Sequence, residues 1–223
     1  MTWSPEHAVA CLKEEGLRSV WLVERPGEAS RTAKYWPVTL WSAAKHCIGI
    51  SQPARQLRGA RRLAAIGVAT PQVVDGPTVV SARSRRLYRL ELEYVPGSTV
   101  MECLEESSHD TATCRSVARQ LGVVIRLISG AGLLHRDLRL SNVIVEAAAD
   151  GPVVWVIDPV GVRRCGNGLM AIARMLERLD VELRRRRAIA RGAWREVVRS
   201  ALSELSAADR RAVFAQLRAH RRS

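Results

Sequence analysis

Apolar and polar positions follow two different rhythms along this chain. In the first part, short apolar runs alternate with turn residues. SVWLVE at 19–24 and RTAKYW at 31–36 each have a strand's length and flank the turn RPGE, so 19–36 reads as a β-hairpin. PARQLRGARRLAAIG at 53–67 places Leu57, Ala60, Leu63 and Ala64 on one helical face, with Gly67 as a stop and Pro71 beyond it. PQVVDG, TVVSAR and YRLELEYV read as further strands, and VPGS at 95–98 breaks the pattern.

After the break the period becomes helical. Val117, Leu121, Val124, Ile125 and Ile128 share one face of a helix that ends at Gly130. Two short apolar runs, Leu133-Leu134 and Val143-Ile144-Val145, then enclose the polar stretch HRDLRLSN, and PVVWVIDPV at 152–160 reads as another strand. From Leu169 the chain is amphipathic helix, with breaks expected near Gly192 and Ser206. The outline is α+β: a strand-rich N-terminal lobe over 1–94 and a helical C-terminal lobe over 95–223.

Composition narrows the class. The chain has 223 residues, 47% of them hydrophobic, enough for one large domain or two lobes sharing a cleft. No stretch approaches the roughly 18 uncharged apolar residues of a membrane span, and the N-terminus shows no basic-then-apolar leader. Five scattered cysteines without a CxxC pair argue against a disulfide framework and a zinc site, fit a reducing cytoplasm, and read as ordinary buried small residues.

Charge adds a partner class. Net charge is +13, and residues 163–223 hold 16 Arg against 6 acidic residues, so +10 of it lies there, most densely in LRRRRAIAR at 183–191. Such a surface attracts anionic lipid headgroups, a phosphorylated glycolipid or nucleic acid; no groove-reading motif supports the last. Only three lysines, Lys13, Lys34 and Lys45, stand against 32 arginines, which singles out Lys34 on its strand. Trp36, Leu40, Trp41, Ile48 and Ile50 form an apolar stretch around Lys45 and His46 that reads as core or lobe covering; exposed, it would suit a membrane surface.

The polar stretch carries the chemistry. If the strands at 143–145 and 153–157 pair antiparallel, Asn142 and Asp158 emerge at the same end, with Asp137 one short loop away. Two carboxylates and a carboxamide are hard oxygen donors of the kind Mg²⁺ takes, and a hard cation beside a carboxylate base equips phosphoryl transfer.

These residues resemble a known family. HRDLRLSNVIV is similar to the catalytic loop of the protein-kinase-like superfamily, VIDPVG to its metal-binding Asp-Phe-Gly segment, and LEYVPG at 92–97 to its hinge. Lys34 stands where that superfamily has its phosphate-pairing lysine, and the resemblance runs from about Val20 to about Leu179. Within the superfamily the likeness is nearest to the bacterial lipopolysaccharide kinases of heptose and Kdo sugars. It rests on Arg139-Leu140 in the loop, the passage SQPARQLRGARRLAAIGVATP, and the early NGLMAIARMLERL after the aspartate.

The resemblance implies a two-lobed kinase fold using ATP and Mg²⁺. Asp137 would orient the acceptor hydroxyl and Arg139 would face the transferred phosphate. Asn142 and Asp158 would bind Mg²⁺, Lys34 would hold the α/β-phosphates, and the backbone from Glu93 to Val95 would meet adenine. His135 and Arg136 are expected to support the loop. The acceptor implied is a sugar hydroxyl of a lipopolysaccharide-core-like glycolipid at the inner face of the cytoplasmic membrane, with the basic C-terminal helices against the leaflet. Two departures support the alternative of a pseudokinase binding module: Gln56 stands where a glutamate should pair with Lys34, and LVERPGEASRTAK has one glycine and no Gly-rich loop. A protein Ser/Thr or small-molecule kinase is the other alternative.

Overall fold

The structure is a computed structural model and describes residues 4–82, 85–105, 111–184 and 190–220. The chain divides into two units, one of residues 1–61 and 71–95, the other of 62–70 and 96–223.

The first unit is a five-stranded antiparallel sheet in the order β1-β2-β3-β5-β4. Its strands are β1 (Ala8–Glu15), β2 (Arg18–Val23), β3 (Arg31–Pro37), β4 (Val73–Ala82) and β5 (Arg85–Glu93). Alternation sends Trp21 and Val23 from β2, Ala33 and Tyr35 from β3, and Leu87 from β5 into one small core. β1 has no counterpart in the sequence reading. Its AVACLKEE is almost wholly exposed, so it has no apolar face to betray it; it forms through its ladder with β2. Between β3 and β4 come α1 (Leu40–Cys47) and α2 (Gln52–Ala64), the second opened by Ser51, whose Oγ accepts from the Ala54 N–H at 3.3 Å.

Gly67, at φ +76°, ends α2 as its position suggests, with the Val68 N–H donating back to the Leu63 carbonyl at 3.0 Å. The consequence is that 62–70 belongs to the second unit, unlike the expectation of one unbroken first lobe to residue 94. Leu63 and Val68 join that unit's core, the Val156 N–H donates to the Ala69 carbonyl at 2.9 Å, and Thr70 Oγ1 donates to the Val156 carbonyl at 2.8 Å.

The rest of the second unit runs from Pro96. It contains β6 (Ser98–Thr99), α3 (Val100–Glu105), α4 (Thr111–Gly130), β7 (Leu133–His135), β8 (Val143–Ala148), β9 (Gly151–Val156), β10 (Val162–Arg164), α5 (Gly168–Arg184), α6 (Ala190–Ala201) and α7 (Ala207–His220). All five apolar residues expected on the α4 face are buried, and Ile125 and Ile128 are fully so. Each such side chain contributes about 1.5–3 kcal/mol by leaving water. The break expected near Gly192 falls beside the start of α6, of which Gly192 is the third residue; residues 185–189, between α5 and α6, lie outside the described residues. Ser206 does mark a start, because its Oγ accepts from the Asp209 N–H at 3.1 Å and caps α7. Most of LRRRRAIAR lies outside the described residues. The cysteines are free, but Cys11 and Cys47 are exposed rather than buried. Among the described residues no helix is long and apolar enough to cross a membrane.

Candidate active site

The loop between β7 and β8 is built by a simple alternation. Leu138 and Leu140 point inward and are almost completely buried, so Asp137 and Arg139 between and before them must point out, each about half exposed. A single turn of 3₁₀-helix over Leu140–Asn142 closes the loop. The Leu140 N–H donates to Glu182 Oε2 at 2.7 Å, which ties the loop to α5. Asn142 Nδ2 donates to the Asp137 carbonyl at 3.0 Å, bridging the loop's two ends.

The hairpin that follows has the geometry expected from its spacing. β8 and β9 pair antiparallel with Val143 opposite Val156, and the Ile157 N–H donates to the Asn142 carbonyl at 3.0 Å. Asn142 and Asp158 therefore leave the hairpin at one end. Beyond Asp158 the chain turns through Pro159–Gly161 and returns as β10, with Val162 opposite His135.

His135 is the hub of this arrangement. It is fully buried, and its Nδ1 accepts from the Asp137 N–H at 3.2 Å, which assigns the ring proton to Nε2. Burial pushes its pKa down to about 4, against the pull of the Asp158 and Asp137 carboxylates and of the Asp158 main chain. A ring kept neutral in this way supports the loop. Gly161 packs against the same point: a Cβ there would lie 3.0 Å from the Asp137 N and 3.2 Å from both the Arg136 N and His135 Nδ1. The Arg136 N–H donates to the Gly161 carbonyl at 3.1 Å, so a side chain at this position would crowd the close approach of two backbones.

Asp137 also has a neighbour that the sequence did not reveal. Arg178 of α5 places NH2 3.7 Å from Asp137 Oδ1 and turns Nε toward the Arg136 carbonyl at 3.4 Å; Arg139 NH2 stands 4.0 Å from the same oxygen. Arg178 and Glu182 are one helical turn apart and both serve the loop. Their order, cation before anion, is the one that helps an isolated helix least, and it was the only hint available.

Asn142 uses its Nδ2 within the loop, which turns Oδ1 away from that bond, and Asp158 adds a carboxylate at the same end of the hairpin. Two hard oxygen donors, with Asp137 close by, fit a hard divalent cation such as Mg²⁺.

The remaining predicted residues belong to the first unit. Lys34 sits on β3 opposite Val20 and Leu90, on the sheet face opposite to that of Ala33 and Tyr35; it is partly buried and makes an interaction of its own. Gln56 of α2 is buried. At the hinge the Glu93 N–H is engaged by the Gln72 carbonyl at 2.9 Å, its Oε2 accepts from the Gln72 N–H at 3.2 Å, and the Tyr94 N–H donates to Ser30. Val95 is buried. The structure thus gathers Asp137, Arg139, Asn142 and Asp158 in one unit and carries Lys34, Glu93 and Val95 in the other.

The turn that lacks a Gly-rich loop has a different fastening. Arg25 donates through both terminal nitrogens to Glu91, at 2.8 and 2.6 Å, and Arg31 adds a third bond at 3.0 Å. Glu91 is 1% exposed, and the Arg25 hydrogen bond foremost pulls its pKa down to about 2. No periodicity signals this buried carboxylate within YRLELEYV.

No protein-family model matches the chain, and no curated protein matches it by sequence. Among solved structures it is similar to the crystal structure of a double mutant of the Mycobacterium tuberculosis PknI kinase domain. The TM-score is 0.52 at 14% identity, over 94% of this chain and 93% of that one. None of these comparisons points to the lipopolysaccharide kinases in particular. What the likeness establishes is the architecture: this chain has the two-lobed α+β protein-kinase-like fold.

Proposed function

We propose that the protein is an ATP- and Mg²⁺-dependent phosphotransferase with an alcohol acceptor, and that the acceptor is a sugar hydroxyl on a lipopolysaccharide-core-like glycolipid. One observation carries the reading. Asp137 is half exposed, its backbone is fastened by His135 and Asn142, and its carboxylate lies beside the guanidinium groups of Arg139 and Arg178. In this role Asp137 accepts a hydrogen bond from the acceptor hydroxyl, aims its oxygen, and takes its proton as that oxygen bonds to the γ-phosphorus and the bond from that phosphorus to the β-phosphate oxygen breaks, releasing ADP. Arg139 and Arg178 meet the charge on the transferred phosphoryl oxygens, where a fixed cation stabilises most. Mg²⁺, held by Asn142 and Asp158, would supply charge neutralisation along the phosphates. Lys34 grips the α/β-phosphates, and the Val95 N–H is the hinge group for the adenine edge, since the N–H groups of Glu93 and Tyr94 are engaged within the protein. The sugar acceptor rests on the resemblance of Arg139-Leu140 and of the passage after α1 to the lipopolysaccharide kinases, and the inner membrane face follows from that acceptor.

The test is transfer from γ-labelled ATP with Mg²⁺ to rough-type lipopolysaccharide, with total protein as the competing acceptor. Label in the lipid fraction that Asp137→Ala abolishes supports the proposal. Label in protein alone moves the acceptor to a Ser/Thr residue, and equal labelling by wild type and variant defeats the mechanism. A second reading, a pseudokinase binding module, is favoured by the buried amide of Gln56 where the superfamily has a carboxylate. Thermal stabilisation by millimolar MgATP separates the two, because a module that does not bind nucleotide shows no shift.

A further inference from the structure

α1 is folded with its apolar side outward. A capping box holds its start: the Ser42 N–H donates to Thr39 Oγ1 at 3.1 Å, and the Thr39 N–H to Ser42 Oγ at 2.7 Å. At about 100° per residue, Leu40, Trp41, Ala44, Cys47 and Ile48 fall on one side of the helix. All five are exposed: Leu40 is 94% open, Trp41 70% and Ile48 69%, and Ile50 just beyond adds to the same stretch. The side turned to the protein is the polar one. Ser42 Oγ donates to the Pro37 carbonyl at 3.1 Å, His46 stacks on Tyr88 with ring centres 4.6 Å apart, and His46 Nδ1 lies 2.9 Å from Ser51 Oγ. An ordinary surface helix does the reverse, so the apolar stripe is made to be covered by something.

Charge identifies the cover. From Ala29 to Val74 the chain has no Asp or Glu and seven Lys and Arg. The Lys45 ammonium stands 4.7 Å from the centre of the Trp41 ring, and Arg58 NH2 donates to the Gly49 carbonyl at 2.6 Å, so cations border the stripe. A second copy docked on this face by two-fold symmetry would set Lys45 and Arg58 against their own images. An anionic bilayer satisfies both features at once. Tryptophan and aliphatic side chains enter the boundary of headgroup and acyl chain while Lys and Arg meet lipid phosphates.

We propose that α1 and the segment to Ile50 form a membrane-surface docking element that places Leu40, Trp41 and Ile48 in the interface of a bilayer carrying anionic lipids. The element lies wholly in the first unit and stands whether or not the chain transfers phosphate.

Co-sedimentation of the full chain with vesicles tests this. The wild type is expected to bind phosphatidylcholine–phosphatidylglycerol vesicles, to bind pure phosphatidylcholine poorly, and to lose affinity as salt rises. Replacing Leu40, Trp41 and Ile48 together by Ser should lower partitioning by roughly tenfold or more, since each removes a large apolar group from the interface. Lys45→Glu, which leaves the apolar stripe intact, should weaken binding to anionic vesicles alone. Equal partitioning by the triple variant and wild type would assign membrane binding to the arginine-rich C-terminal helices and overturn the proposal. So would a wild-type dimer that the triple variant disperses, or a wild type that ignores anionic vesicles. Binding is measured without ATP, so loss of kinase activity and loss of docking are read separately.

Discussion

Asp137 is fastened and flanked by its neighbours, whereas Glu91 shows what a single buried charge contributes to the fold. Glu91 is held ionised by Arg25 and Arg31, and its folded pKa of about 2 lies below the ordinary value of 4.5. The unfolded chain binds the extra proton between those values, so this stabilisation is complete above about pH 4.5 and is lost as pH falls toward about 2. Its size is about 3 kcal/mol, similar to the cost of breaking a buried ion pair. Glu91→Gln is therefore expected to lower unfolding stability at pH 7 by about 3 kcal/mol and to flatten its decline below pH 4.5, by denaturant titration at several pH values. A variant whose stability falls with acid in parallel with wild type would show that the carboxylate is not the acid-labile group. Sequence reading picked out Asp137 through its motif but passed over Glu91, because burial and pairing with a distant turn leave no local trace.

Among the elements, the crossing of α4 and α6 turns on Gly122. A Cβ on Gly122 would lie 2.5 Å from Ser200 Cβ and the Val197 carbonyl oxygen, and 2.9 Å from the Ala201 N. Two of these are backbone atoms and cannot swing aside. Gly122→Ala gains about 1 kcal/mol of helix propensity, but overpacking costs about 1–3 kcal/mol, so the sign is set by the clash. The variant should melt below wild type, while Gly130→Ala, at the open end of α4 with nothing within 4 Å, should melt at or above it. Equal melting temperatures for the two would mean that α6 yields freely. The face of α4 was readable from its period. Its partner was not, since the same apolar stripe packs equally well against any helix of matching shape.

For the whole molecule the dominant feature is a net charge of +13. Self-repulsion of that size weakens the folded state at low ionic strength, and salt screens it over about 10 Å at 0.1 M. Raising salt from low to near-physiological concentration should therefore raise the melting temperature; a fall would show that ion pairs such as Arg25–Glu91 outweigh the repulsion. The charge also frames the two contacts suggested for a membrane, the C-terminal arginines and α1. α1 joins cations to an exposed apolar stripe, whereas the C-terminal segment contributes chiefly arginine charge.

From the sequence alone came the two rhythms, the hairpin at 19–36, the face of α4, and the loop and hairpin that bring Asp137, Asn142 and Asp158 to one place. These are local matters: a period of two or of about 3.6 residues, a turn, and a short antiparallel return set them within a few dozen residues. Tertiary structure alone decided the edge strand β1, the transfer of 62–70 to the second unit, the pairing of Arg178 with Asp137, the burial of Glu91, and the outward apolar face of α1. Each depends on which distant surface a residue meets. Hydrophobicity says that Leu40 and Trp41 prefer to be covered, but not whether the protein itself covers them.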